Sequence, residues 1–235
     1  DPVRDADTVE TELLLADLES VERQVKAIGK KATSGDKDAK IQAALMEKVL
    51  VALENGQPAR TVMPEDEEEQ KHFRMLQLLT AKPILYVCNV NEDEAVDGNE
   101  YTRKVEEMAK EKGASSVIIS ARIEEEIAQL ESAEEKNEFL ETIGLDEPGL
   151  NKIIAAGYKL LNLQTYFTAG PKETRAWTIP TGAKAPQAAG KIHTDFEKGF
   201  IRAEVIGFDD YIAHKGEKGA KEAGRMRQEG KDYIV

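Results

Sequence analysis

At 235 residues the chain has length for one good core and part of a second, which favours two or three modules. Its net charge of −13 excludes a surface that coats a nucleic-acid backbone throughout, and its single cysteine, Cys88, excludes an internal disulfide framework. No apolar run reaches the roughly 18 residues of a membrane span and no signal-like start is present, so a cytoplasmic protein is expected.

The charge is unevenly spread. Residues 1–80 carry −6, residues 81–162 carry −9 and residues 163–235 carry +2, so the last third is electrostatically distinct. From residue 8 to 31, Leu14, Leu18, Val21, Val25 and Ile28 recur at alternating spacings of four and three, the seam of a coiled coil. A polar turn, 33-TSGDKD-38, breaks the pattern. A second helix, about Asp36 to Glu54, carries Ile41, Leu45, Val49 and Leu53 and stops at 55-NGQP-58. The short connection favours an antiparallel hairpin.

A third helix is expected from Pro64 through Phe73, Leu76 and Leu79, stopping before Pro83. Its acidic start, 65-EDEEE-69, reads as a solvated first turn facing the positive end of the helix dipole rather than as a metal site. The run 83-PILYVC-88 has the texture of a parallel strand covered on both faces, followed by a helix from about Glu100 to Lys112 stopped by Gly113, and by a second strand, 116-SVIIS-120. Strand, helix and strand form a βαβ unit, whose ligands sit beyond the carboxyl ends of the strands.

Residues 122–145 read as helices with a stripe of Ile123, Ile127, Leu130, Phe139, Leu140 and Ile143. A further helix spans about Gly149 to Leu161, with 146-DEPG-149 as its N-cap. Beyond Asn162 the texture turns strand-rich, with 164-QTYFTA-169, 175-RAWTI-179, 201-IRAEVI-206 and a strand-like 231-KDYIV-235. The expected domains are therefore 1–80, a helical region with a coiled-coil insertion; 81–162, part of an α/β domain; and 163–235, a strand-rich domain.

The chemistry gathers at the two strand ends. Asn89 and Glu92 follow the first strand, and Ser120 and Ala121 the second, a neighbourhood of amide and backbone groups suited to a purine. The sequence Asn89-Val90-Asn91-Glu92 followed by Ser120-Ala121-Arg122 resembles the NKxD and SAK base-reading motifs of translation-factor-type P-loop GTPases. It departs from them in two places: Glu92 stands where Asp is usual, and Val90 replaces the Lys that flanks the base. A displaced carboxylate weakens selection of guanine, whose N1–H and N2–H₂ donate to it.

An NxxE variant of this kind, together with 1-DPVRDADTVETELLLADLESVERQ-24, 147-EPGLNKIIAAGYKLLNLQTYFTAGPKETRAWTI-179 and 191-KIHTDFEKGFIRAEVI-206, resembles the YchF, or Obg-like ATPase, family along essentially the whole chain. The resemblance implies an α/β fold: a partial parallel-sheet P-loop NTPase domain with a helical coiled-coil hairpin insertion, plus a C-terminal β-grasp (TGS) domain. It also implies binding and hydrolysis of ATP in preference to GTP, Mg²⁺ as cofactor, and the ribosome or its RNA as partner. The nucleotide-binding residues it marks are Asn89, Val90, Glu92, Ser120, Ala121 and Arg122.

No GxxxxGK[ST] occurs in the sequence, and 146-DEPG-149 follows the base-reading motifs rather than preceding them as a switch segment does in the family. The phosphate-holding half is therefore expected upstream of Asp1. No catalytic or metal-binding residue is assigned within these 235 residues, and the chain alone is expected to be inactive. The alternative reading is a non-catalytic RNA-, ribosome- or protein-binding module. Arg175, Lys191, Lys198 and Arg202 are its candidate cationic face, and Tyr166, Phe167 and Trp177 read either as core or as base-stacking platforms. His72, His193 and His214 lack metal-ligand spacing, and Thr194 or Asp195 is expected to cap a short helix.

Overall fold

A computed structural model describes residues 1–33 and 36–235. It divides into two compact units, Asp1–Ala156 and Gly157–Val235.

The first unit begins with α1 (Pro2–Thr33) and α2 (Lys37–Glu54), the latter capped by the Asp36 carboxylate on the Ala39 N–H. The seam forms as the spacing requires: Val21, Leu45, Met46, Val49 and Leu53 are buried, with Leu14, Leu18, Val25 and Ile28 packed against them. The polar turn expected at 33–38 falls partly on residues 34–35, outside the described ones.

A 3-10 turn (Ala59–Val62) leads to α3 (Glu67–Met75), which is shorter than its apolar period predicts. The Asp66 side chain accepts from the Glu68 and Glu69 N–H groups as the N-cap and so fixes the start at Glu67, beyond Pro64. At the other end Gln77 takes a φ of 53°, which breaks the helix and turns Leu78 rather than Leu79 into the core beside Phe73 and Leu76.

The strand β1 (Leu85–Asn89) pairs in parallel with β2 (Ser115–Ile119), Asn89 lying opposite Ile119, and α4 (Glu100–Glu111) crosses between them. Asn99 and Thr102 cap α4 reciprocally. Val105, Met108 and Ala109 are its buried face. Within these residues Val87 on β1 is 46% exposed, since two strands and one crossover helix supply only part of the layers that a parallel strand uses. Next, α5 (Ala121–Gln129) and α6 (Ala133–Ile143) build a second small core from Ala95, Ile123, Ile127, Leu140 and Leu145.

The chain then enters α7 (Gly149–Leu160). Its first N–H groups, on Gly149 and Leu150, donate to the Glu124 carboxylate of α5, so the cap is tertiary and not the expected local Asp146.

Three polar ties join α1 to the rest of its unit. The buried Asp17 carboxylate accepts from the Leu79 N–H, the Thr80 N–H and the Thr80 hydroxyl. Tyr86 on β1 donates to Glu10. The Lys112 ammonium, just after α4, reaches Asp7 at 2.7 Å and Glu10 at 2.9 Å. At 3.6 residues per turn, Asp7, Glu10 and Asp17 share the helix face that Leu14 and Val21 continue.

In the second unit β3 (Leu163–Ala169) and β4 (Thr174–Pro180) form an antiparallel ribbon. The unit also holds helices α8 (Ala185–Ile192), α9 (Thr194–Lys198), α10 (Phe208–Ala213) and α11 (Glu217–Glu222) and a short antiparallel pair, β5 (Ala203–Val205) with β6 (Arg227–Glu229). Ile179, Ala183 and Ala188 are its core, with Tyr166 and Val235 packed on them. The strand-like 231–235 segment makes only a bridge, Lys184 to Ile234, within this unit. α9 is capped by the His193 ring nitrogen, which accepts from the Asp195 N–H, where Thr194 or Asp195 was expected.

Candidate functional site: a base-reading corner

Both strand ends point their loops to one edge because the strands are parallel. Asn89 is the last residue of β1, and its Oδ1 accepts the Ala121 N–H at 2.9 Å. The Val90 N–H donates to the Ile119 carbonyl at 2.9 Å, so the loops are tied through backbone as well. Glu92 opens a 3-10 turn (Glu92–Glu94), and its Oε1 lies 2.6 Å from Arg122 Nε at the start of α5.

Asn89, Glu92, Ala121 and Arg122 are thus brought together by direct contacts, and Val90 joins them through Ile119. Ser120 is buried, 3% exposed, and its hydroxyl has no partner among the described residues. On the β1 side an open cavity of about 450 Å³ is lined by Asn89, Val90, Asn91, Glu94, Asn99, Glu100 and Tyr101. Tyr101 and Glu94 escaped the sequence reading; an exposed aromatic in the first turn of the crossover helix was the available signal.

The corner has the right donors for a purine edge. With Oδ1 committed to Ala121, the Asn89 amide nitrogen remains as donor, and adenine presents ring-nitrogen acceptors. The Glu92 carboxylate is paired with Arg122 rather than open to two guanine donors. The residues do not fit phosphates or Mg²⁺ in the same way: the sequence has no glycine-rich loop ending in Lys-Ser/Thr. Among the described residues no group of three or more His, Cys, Asp or Glu side chains could hold a metal ion.

Below the corner, burial raises the Cys88 thiol, which keeps it protonated and a poor nucleophile. Burial also pushes Tyr86 up to about 12, helped by its hydrogen bond to the Glu10 carboxylate.

The four cationic candidates of the second unit are all exposed. The Arg175 guanidinium lies 4.3 Å from the centre of the Trp177 ring, whose N–H donates to the Thr168 hydroxyl. Arg202 donates to Gln228 at 3.2 Å, while Lys191 and Lys198 end α8 and α9. The aromatic residues divide: Tyr166 packs on the core and donates to the Ala188 carbonyl, whereas Phe167 is 55% exposed and meets Phe208 at 5.6 Å between centroids.

A parallel strand pair with a crossover helix and its polar loops gathered at one edge defines an α/β protein of mixed helix and strand, with small sheets. The comparisons with known proteins are specific. The family model YchF-GTPase_C, described as a protein of unknown function (DUF933), matches residues 163–235. The chain is 56% identical over 234 residues to the "Ribosome-binding ATPase YchF" of Escherichia coli O157:H7, and 50% identical over 237 residues to that of Bacillus subtilis (strain 168). In each case all of this chain and 64% of the relative are covered. The "Structure of the Schizosaccharomyces pombe YchF GTPase" superposes with a TM-score of 0.82 at 36% identity, covering 100% of this chain and 64% of that one. The chain belongs to the YchF family, and it spans about two thirds, 64%, of the length of these relatives.

Proposed function

We propose that the chain supplies the base-reading part of a ribosome-associated ATPase. The observation that carries this reading is the double bridge between the two strand-end loops, Asn89 to Ala121 and Glu92 to Arg122. It leaves the Asn89 amide nitrogen free for a purine and takes up the carboxylate that a guanine would need. The relatives printed as ribosome-binding ATPases support the same activity and partner. In this reading Asn89 and Val90 line the adenine, Glu92 tunes base choice, and Ser120, Ala121 and Arg122 close over it. ATP with Mg²⁺ is the substrate of the whole protein, acting in the cytoplasm.

The domain division follows: 1–80 with a coiled-coil insertion, 81–162 as the C-terminal half of the nucleotide domain, and 163–235 as a β-grasp TGS domain. Arg175, Lys191, Lys198 and Arg202 serve ribosomal RNA.

Calorimetric titration of ATP and GTP into the full-length protein tests the base assignment. ATP is expected to bind more tightly, and Asn89→Ala to weaken it; a GTP preference overturns the reading. Arg175→Glu with Lys198→Glu is expected to reduce co-sedimentation with ribosomes while the circular dichroism spectrum is kept.

A second reading is favoured by one observation, the lack of a Lys-Ser/Thr phosphate loop within these 235 residues. Taken alone, the chain is a binding module without turnover, and hydrolysis of MgATP by it would contradict that.

A further inference from the structure

We propose that Arg122 is a specificity-determining residue of this site, acting by holding the Glu92 carboxylate off the base edge; the inference rests on the adenine reading of the corner given above. A bare carboxylate at that edge favours guanine, since it accepts N1–H and N2–H₂ together, and it repels the lone pair on adenine N1. An adenine site built with a carboxylate therefore has to occupy it otherwise. Here Glu92 Oε1 meets Arg122 Nε at 2.6 Å.

The pair is not an isolated surface contact. Asn89 and Ala121 already fix the two loops one step away, so little further ordering is needed to hold it. Glu126, one turn along α5, lies 3.8 Å from the same Arg122 nitrogen, a longer contact than that to Glu92. Neither of the two elements that hold the pair carries a second cation. The 3-10 turn holds Glu92, Asp93 and Glu94, and α5 holds Glu124, Glu125 and Glu126; Arg122 is the one cation in these two elements. Its removal leaves Glu92 among like charges, which drive it toward any donor presented by a base. The resulting conversion is one of selectivity, from adenine toward guanine, with the fold unchanged because Arg122 is itself exposed.

The test is a set of MgATP and MgGTP dissociation constants for the full-length protein and its Arg122→Ala, Arg122→Gln and Arg122→Ala/Glu92→Gln variants. Both single variants are expected to lower the ratio of ATP to GTP affinity by roughly fivefold, the upper end for an exposed ion pair. The double variant is expected to restore the ratio to within about twofold, because a neutral Gln no longer accepts both guanine protons without a cost. An unchanged ratio in both single variants overturns the inference while leaving the ATP site intact. An equal fall in the double variant also overturns it, since Arg122 then acts on the base directly. An unmodified protein that prefers GTP overturns the adenine reading itself, and this inference with it.

Discussion

The α1–α2 pair and the β1–β2 pair lie in the same unit and end up differently covered. In the helix pair Val21 and Val49 are 0% exposed, whereas in the strand pair Val87 is 46% exposed. A helix satisfies its own backbone and needs one apolar stripe covered, which its neighbour supplies. A parallel ribbon needs layers on both faces, and the two strands and one crossover helix within these residues, which span 64% of the relatives' length, supply only part of them. Within these residues the largest buried cluster lies between helices, and the polar groups of the corner stand at the ends of the strands.

The strongest way to break this comparison is Leu53→Ala, in the helix core at 1% exposure. A loss of about 3 kcal/mol in urea unfolding is expected. If Val87→Thr on β1 costs as much, the contrast fails.

Next comes Asp17→Ala, which strands the Leu79 and Thr80 N–H groups and the Thr80 hydroxyl in a buried place. About 2 kcal/mol is expected from the lost pairing. Asp17→Asn is expected to recover part of it, because one amide oxygen still accepts.

A smaller effect, about 1 kcal/mol, is expected for Tyr86→Phe, which removes the donor to Glu10. Its signature is pH dependence. Tyr86 is pushed from 10.0 to about 12, chiefly by burial. Lys112 is raised because its bonds to Asp7 and Glu10 outweigh a burial effect of opposite sign. Both groups bind protons more tightly folded than unfolded, so their stabilisation is complete below about pH 10 and is lost as pH rises toward 12. Urea midpoints across that window are expected to fall less steeply in Tyr86→Phe than in the parent. The smallest effect belongs to Val87→Thr, expected within about 0.5 kcal/mol because its side chain is half in solvent already.

The helices and strands were legible wherever one local period decided the matter. Leu14, Leu18, Val21, Val25 and Ile28 mark their seam by spacing alone, and Gly113, at a φ of 65°, stops α4 where glycine is needed. The period misled at α3, where Leu79 continues the stripe but Gln77 turns the backbone and Leu78 takes its place.

Of the corner, Asn89, Glu92 and Ser120 through Arg122 were visible as residue types at the ends of two parallel strands. That Glu92 pairs with Arg122 was not, because an ion pair between loops has no signature in spacing. The same holds for Glu124 on the Gly149 N–H and for Asp17 on Thr80, which join residues distant in sequence through groups that look like ordinary surface acids.

The ties along α1 also close loops that lie one inside another. Read backward along that helix, Asp17 meets Thr80 across 63 residues, Glu10 meets Tyr86 across 76, and Asp7 meets Lys112 across 105. Each loop closed is longer than the last and contains it, so every tie shortens the chain left to search before the next one can form. The three closures are therefore nested along one helix face, with the Asp17 tie innermost and the Asp7 tie outermost, so that losing an inner tie lengthens the loop that each outer one must close.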